Sequence, residues 1–207
     1  MKYWIFDLDG TLVDSFGNYF TTVEKLMNKK MNTEERKVCV SLHPTDLFKM
    51  HLSEEKAIEA LKELRKMDPM DAGTVSKFSS IENLFQHLKE KGCHISIFTS
   101  RDLTSATLTV KETGLHKYID HLISGDCVAE KKPNPEGLHQ LQKLYNCKYE
   151  DMVMIGDHDC DMQAGTSVGA YSVRASWHTH WTHENCELAH QQFHSDDQFL
   201  SWVKNKV

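Results

Sequence analysis

Short apolar runs recur along the chain with the length and composition of β-strands. Each run is four or five residues long and rich in Ile, Val, Phe, Tyr or Met, as is typical of strands buried in a sheet. The pattern therefore predicts six strands: Lys2–Phe6, His94–Phe98, Asp120–Ser124, Asp151–Ile155, Ala170–Val173 and Gln191–His194.

Helical patterns separate most of these runs. A Ser cap, a Pro in the first turn and a Gly after the last turn mark where such helices begin and end. The predicted helices run from Ser80 to Gly92, from Asp102 to Gly114, and from Asn134, with Pro135 at the first helical position, to Tyr145. Because strands and helices alternate, the pattern predicts an α/β fold, a parallel sheet with helices on both faces.

The stretch of residues 15–78 breaks this alternation. It contains no convincing strand, but apolar residues recur in it at helical spacing. Because it follows the first strand directly, we expect an inserted helical domain over the carboxyl ends of the strands, where open α/β sheets bind their ligands. The two helical series are Phe16, Phe20, Val23 and Met27, then Ala57, Leu61, Leu64 and Met67.

Composition narrows the class of protein. The 207 residues are 40% hydrophobic and 26% charged, as expected of a globular chain with a substantial core. The formal charge is −6 and no basic run is present, so we do not expect nucleic acid or an anionic membrane as the partner. No apolar stretch is long enough to span a bilayer and the six cysteines form no paired motif, so we expect a cytoplasmic protein with reduced thiols.

Chemically active side chains follow four of the predicted strands. Because the carboxyl ends of parallel strands meet at one edge of a sheet, we expect these side chains to converge. Of the two adjacent lysines at 131 and 132, the following Pro-x-Pro favours the second. The set comprises Asp7 and Asp9 in DLDGT, Thr99, Lys132, and Asp157 and Asp161 in GDHDCD.

The order of these motifs resembles the four motifs of the haloacid dehalogenase superfamily of phosphohydrolases. DLDGTLVDS, the strand ending in Thr99, KPNP at residues 132–135 and GDHDCD match in sequence order, and the insertion resembles the helical cap of phosphoglycolate phosphatase-like members. The resemblance implies a Rossmann-like core of residues 1–14 and 79–207 and a cap of residues 15–78. It also implies Asp7 as nucleophile, Asp9 as general acid/base, Thr99, Ser100 and Lys132 as phosphate-binding residues, Asp7, Asp9 and Asp157 as metal ligands, and Asp161 as a carboxylate at or behind the metal.

Electrostatics independently calls for a cation at such a site. One like-charge pair ~4 Å apart costs about 4 kcal/mol at an effective dielectric near 20, and Lys132 adds only one positive charge to several carboxylates and a phosphate. All-oxygen ligands suit Mg²⁺. We therefore expect a Mg²⁺-dependent phosphatase acting on a small phosphate ester through an aspartyl phosphate, with Asp9 protonated to serve the leaving group.

Two other functions fit the same residues. A phosphomutase of the β-phosphoglucomutase type could use the same aspartyl phosphate, and a non-catalytic regulatory module could retain the fold. For the substrate, phosphoglycolate leads by resemblance and sugar phosphates follow. Candidate substrate contacts outside the motifs are Asn18, His43, Thr45 and Arg101.

Histidines near the carboxyl end could suggest zinc. Their spacing matches no finger or ribbon, so we interpret them as surface residues. His158, inside GDHDCD, is likewise interpreted as a surface residue rather than one that tunes the pH response. The series is His178, His180, His183, Cys186, His190 and His194.

Overall fold

A parallel six-stranded sheet forms the centre of the protein, as predicted. The computed structural model describes residues 1–42, 44–71, 75–178 and 185–207. Each predicted strand is confirmed within one or two residues of its expected ends. The strands are β1 (Tyr3–Phe6), β2 (Val13–Asp14), β3 (Ser76–Lys77), β4 (His94–Phe98), β5 (His121–Ile123), β6 (Met152–Gly156), β7 (Tyr171–Ala175) and β8 (Gln191–Phe193).

The strand order of the large sheet is β5-β4-β1-β6-β7-β8, with every neighbouring pair parallel. Counted along the chain within this sheet, the order is 3-2-1-4-5-6, which is the Rossmann order. The order reverses between β1 and β6. A crevice is expected there, outside the carboxyl ends of these two strands.

Helices cover both faces of the sheet, which confirms the doubly wound α/β class. On one face Phe6 packs against Phe85 and Phe199, and on the other face Ile5 belongs to the same buried cluster as Leu138. The helices are α1 (Phe16–Met27), α2 (Thr33–Ser41), α3 (Pro44–His51), α4 (Glu54–Asp71), α5 (Ile81–Glu90), α6 (Leu103–Glu112), α7 (Glu136–Tyr145), α8 (Asp159–Ser167) and α9 (Asp196–Lys204).

Two helix starts differ in detail from the prediction. Helix α7 begins one residue later than expected, with Pro135 at the cap position, while the Asn134 side chain accepts the amide of Glu136 at 3.0 Å. Ser80 precedes α5, but its hydroxyl donates to Asp197 of α9 instead of capping its own helix. The amide of Ser80 also donates to Asp196 Oδ2 at 2.8 Å, so acids of α9 bind both polar groups of this residue.

Helices α1 to α4 form the predicted helical insertion. They share a buried cluster that includes Phe20, Val23 and Phe48 and is separate from the two clusters on the sheet. Inside it, the carboxylate of Glu24 accepts Nζ of Lys30 at 2.8 Å and Nη2 of Arg36 at 2.9 Å. A cluster of its own suits an independent cap, but the division of the chain at residues 15 and 78 stays a prediction.

The expectation of no strand in the insertion is wrong at its end. Ser76–Lys77 pairs antiparallel with Val13–Asp14, so the two linkers of the insertion lie side by side. Strands of two residues have no periodicity that a sequence pattern could reveal. Among the helices that the structure describes, none has the length and apolar character needed to cross a bilayer.

Candidate active site

The four predicted strand ends lie next to one another in the sheet. Asp7 follows β1 and its amide donates to the carbonyl of Ile155 in β6 at 2.8 Å, while Asp157 follows β6 itself. Thr99 follows β4, on the other side of β1, and Lys132 lies in the loop between β5 and α7. The two aspartates therefore flank the position at which the strand order reverses.

Three buried carboxylates converge at this position. One oxygen from each of Asp7, Asp157 and Asp161 lies within 4.8 Å of the others. Asp7 is 8% exposed, Asp157 3% and Asp161 0%. Asp161 lies in the first turn of α8, where its Oδ2 accepts the amide of His158 at 3.0 Å. The structure thus brings Asp161 into direct proximity with Asp7 and Asp157.

A single ammonium group faces these carboxylates in the described part of the chain. Lys132 Nζ donates to Asp7 Oδ1 and Asp161 Oδ1, both at 2.6 Å, and to the carbonyl of Phe98 at 2.9 Å. Burial acts to lower the pKa of Lys132, but the charges of Asp161 and Asp7 outweigh it and hold the pKa above its ordinary value. Lys132 is therefore a permanent cation.

The charge at the site remains unbalanced. Three carboxylates face one ammonium, and the pKa of Asp7 rises to about 7 because Asp7 is buried and lies near Asp161 and Asp9, although Lys132 acts against this rise. A buried, all-oxygen donor set with excess negative charge is what Mg²⁺ requires. The residues present fit the expected cation.

The carboxylate of Asp9 is bound by Arg101 and is not one of the three converging carboxylates, so the role of Asp9 as a metal ligand stays a prediction. Arg101 donates two hydrogen bonds to this carboxylate, from Nε to Oδ2 and from Nη2 to Oδ1, both at 2.8 Å. The Ser15 hydroxyl also donates to Oδ1. Burial acts to raise the pKa of Asp9, but the charge and hydrogen bonds of Arg101 outweigh burial and hold it below its ordinary value. The neighbouring acids therefore raise the pKa of Asp7 and not that of Asp9, and Asp9 is ionised in this arrangement.

Thr99 is enclosed at the end of β4, whereas Ser100 is more open. Thr99 is buried, and its Oγ1 accepts the amide of Arg101 at 3.2 Å. Ser100 is exposed, and its carbonyl accepts Nζ of Lys131 at 3.1 Å. The structure thus separates the two adjacent lysines, with Lys132 among the carboxylates and Lys131 at the rim.

Gly10 allows the chain to pass close to Asp157. Its φ is +71°, and a Cβ at this position would lie 2.3 Å from Asp157 Oδ2. Next to it, the Thr11 hydroxyl donates to Asp157 Oδ1 at 3.4 Å. A side chain at residue 10 would therefore displace Asp157.

We expect Gly10→Ala to weaken activity beyond its cost in stability. Gly92 is the matched control, because its φ is +69° but a Cβ there would meet nothing within 4 Å. Both substitutions should lower the free energy of unfolding by about 1–2 kcal/mol through the left-handed backbone. Only Gly10→Ala should also lower phosphate release, by about 10–100-fold, as displaced support of a metal ligand does. Unfolding curves and phosphate release in Mg²⁺ measure the two effects, and full activity of Gly10→Ala would contradict the role of this contact.

A cavity of about 350 Å³ opens next to Asp9, between the sheet edge and the helical insertion. Of the predicted substrate contacts, Asn18 and Arg101 line this cavity, whereas Thr45 is not part of its wall and His43 lies outside the described residues. The sequence pattern did not predict the other wall residues as substrate contacts, because their apolar or hydroxyl side chains do not distinguish them from ordinary core residues. These include Phe16, Tyr19, Thr22, Cys39 and Leu42.

The histidines have structural partners. His178 is buried, its Nε2 lies 2.9 Å from Asp14 Oδ1 at the linker, and it packs on Phe16, so its interpretation as a surface residue is wrong. His158 is half-buried and caps α8, with its Nδ1 accepting the amide of Cys160 at 3.3 Å. His180 and His183 lie outside the described residues. Among the described residues, the one cluster with the geometry of a metal site is the carboxylate triad.

Comparison with known proteins finds a family whose model matches this chain. The family model for haloacid dehalogenase-like hydrolases matches residues 4–175. The chain is 28% identical to the pyrophosphatase PpaX of Halalkalibacterium halodurans over 181 residues, covering 82% of this chain and 84% of that protein.

Solved structures show the same fold. A predicted phosphoglycolate phosphatase from Haemophilus somnus superimposes with a TM-score of 0.82 at 16% identity, covering 100% of this chain and 98% of that one. CbbY from Rhodobacter sphaeroides, in complex with phosphate, gives a TM-score of 0.79 at 17% identity over 94% of each chain.

Proposed function

Because the chain belongs to the haloacid dehalogenase-like hydrolase family, we propose that it is a Mg²⁺-dependent phosphatase that hydrolyses a small phosphate ester through Asp7. One observation carries this proposal. Asp7 lies buried at the switch point of the sheet, with Lys132 on one of its oxygens and the carboxylates of Asp157 and Asp161 beside it. Membership of this family favours an enzyme over a non-catalytic module.

The reaction proceeds in two displacements at phosphorus. In the first, a carboxylate oxygen of Asp7 forms a bond to phosphorus, and the bond from phosphorus to the leaving-group oxygen breaks. In the second, water attacks the phosphorus of the aspartyl phosphate, releasing inorganic phosphate and restoring the Asp7 carboxylate. Lys132 and the Thr99 hydroxyl bind the phosphoryl oxygens as their negative charge spreads.

Asp9 moves the proton in both displacements. Once released from Arg101 it takes up a proton from solvent, gives that proton to the leaving-group oxygen in the first displacement, and regains one from the attacking water in the second. In the present arrangement both of its oxygens are bound by Arg101, so at least one must turn toward the leaving group before the reaction.

Mg²⁺ would be held by the carboxylates of Asp7, Asp157 and Asp161, which converge within 4.8 Å. When bound, it supplies positive charge that offsets the carboxylates and the phosphoryl group. The excess negative charge of the triad and the raised pKa of Asp7 support this assignment.

The substrate is a small phosphorylated molecule whose leaving group enters the cavity next to Asp9. Phosphoglycolate and sugar phosphates remain candidates. Pyrophosphate joins them, because the relatives that match along most of the chain are pyrophosphatases. A cavity of about 350 Å³ lies in the size range of small-ligand pockets.

The test is phosphate release from p-nitrophenyl phosphate, 2-phosphoglycolate, pyrophosphate and glucose 6-phosphate, measured with Mg²⁺ and with EDTA. EDTA should lower the rate by about 100-fold or more, since a bound metal supplies several kcal/mol of transition-state stabilisation, and added Mg²⁺ should restore it. A rate that persists in EDTA contradicts the metal role. Conversion of glucose 1-phosphate to the 6-phosphate without phosphate release would instead establish a mutase.

A further inference from the structure

Arg101 lies on the border between Asp9 and the cavity. Its side chain is 12% exposed. One edge of the guanidinium faces Asp9, while Nη1 donates to the Ser105 hydroxyl at 2.7 Å and reaches the Thr109 hydroxyl at 3.4 Å. Ser105 and Thr109 are fully buried on α6, so α6 helps to orient the guanidinium.

Arg101 supplies positive charge to the part of the cavity wall that the structure describes. Among its described residues Arg101 is the one cation and Asp9 the one acid, and the others are apolar or carry a hydroxyl, thiol or amide. A charge in such a place is weakly solvated and interacts strongly with an opposite charge. An anion that enters this cavity therefore finds its partner in Arg101.

The reaction itself disturbs the ion pair between Asp9 and Arg101. Nε and Nη2 of Arg101 occupy both Asp9 oxygens, yet one oxygen must turn to the leaving group for proton transfer. That movement breaks the hydrogen bond that one guanidinium N–H of Arg101 donates to Asp9, which is costly at a buried site. An oxyanion on the leaving group would lie in reach of this N–H, because the leaving group extends from Asp9 into the cavity.

Building on the proposed function, we propose that Arg101 is a specificity-determining residue that binds a second anionic group of the substrate. The substrate class is then a small phosphate monoester or anhydride whose leaving group carries a carboxylate or a phosphate. Planar carboxylates and phosphates both match the forked donors of Arg. Neutral leaving groups of the same size offer no charge in place of the carboxylate oxygen of Asp9, and their hydrolysis is slower.

The test compares substrates with and without a second charge on the leaving group, and because pyrophosphate and methyl phosphate also differ in leaving-group reactivity, the change of each ratio in Arg101→Met is the decisive quantity. One pair is 2-phosphoglycolate against 2-hydroxyethyl phosphate, and the other is pyrophosphate against methyl phosphate. We expect the unmodified enzyme to prefer the doubly anionic member of at least one pair. In Arg101→Met that preference in kcat/KM should fall by about 30-fold or more, as on loss of one partner of a buried charge pair. Arg101→Lys should retain part of it.

Lys111→Met on the exposed side of α6 is the matched control for loss of a positive charge, and it should leave both ratios unchanged. If Arg101→Met does not fold, the test uses Arg101→Lys, in which the ratio of kcat/KM between the two substrates of a pair should fall by a smaller factor. The pair whose ratio falls identifies the second group as carboxylate or phosphate.

Two results would overturn the inference while leaving the phosphatase intact. One is a ratio near unity in the unmodified enzyme despite hydrolysis of p-nitrophenyl phosphate. The other is an equal loss in Arg101→Met for both members of each pair, which would assign Arg101 to positioning Asp9 only. Absence of phosphate release from every ester, p-nitrophenyl phosphate included, would refute the proposed function itself.

Discussion

Replacing Asp7 by Asn should abolish phosphate release, with a rate about 10⁴-fold or more below that of the unmodified enzyme, as on removal of a nucleophile. The amide keeps the shape of the side chain but cannot attack phosphorus. Asp159→Asn is the matched control, because Asp159 lies two residues from Asp157 yet is largely exposed and pairs with Arg174 at 2.6 Å. Its rate should change little.

A stability measurement separates this chemical effect from unfolding. Burial and the charges of Asp161 and Asp9 raise the pKa of Asp7 from 3.8 to about 7, against the opposing effect of Lys132. Ionised Asp7 therefore destabilises the metal-free fold, a penalty that is absent below pH 4 and complete above about pH 7. In EDTA, the free energy of unfolding of Asp7→Asn relative to the unmodified protein should thus rise between these pH values.

Activity of Asp7→Asn above about 1% of the unmodified rate would contradict the role of Asp7 as nucleophile, since a single nucleophile accounts for most of such a rate enhancement. A variant that is inactive and also less stable at pH 8 in EDTA would contradict the charge argument. The two outcomes are independent of each other.

Replacing Lys132 by Met should damage both stability and catalysis. The side chain is 2% exposed and its ammonium group holds Asp7 and Asp161 at 2.6 Å, so Met deprives two buried carboxylates of their cation. Loss of one member of such a group costs about 3–5 kcal/mol. Phosphate release should fall by about 10²–10³-fold, because a donor to the phosphoryl oxygens is also lost.

Lys131→Met is the matched control for Lys132→Met. Lys131 is exposed and contacts the carbonyl of Ser100, so its loss should change stability by less than about 0.5 kcal/mol. Added Mg²⁺ should restore part of the stability of Lys132→Met, since it compensates the same carboxylates. Equal stability of the two variants in EDTA would contradict the proposed electrostatic balance.

Parts of the site that depend on strand ends were predictable. Asp7, Thr99 and Asp157 follow short apolar runs with the length and composition of buried strands, and parallel strands align their carboxyl ends. Asp161 had a usable signal as well, because it lies four residues after Asp157 at the start of a helix. The pattern could not tell whether its carboxylate faces Lys132, which depends on the loop between β5 and α7.

Other parts depended on residues that are distant along the chain. Asp9 forms an ion pair with Arg101, 92 residues away. The residues around either position give no indication of this pairing. Likewise the burial of His178 against Phe16 arises where the segment after β7 meets the linker to the helical insertion. Such contacts follow from the packing of elements, which no local spacing encodes.

Local patterns in the sequence were sufficient for the α/β class, the six strands, the helical insertion and the order of the chemical motifs, because backbone periodicity and turn residues are encoded over a few neighbouring positions. Only the tertiary structure decided which carboxylates share Lys132, that Asp9 is paired with Arg101, and that a small cavity with one described cation lies beside it. Charges act across space and are strengthened by burial, so their partners are determined when the elements pack.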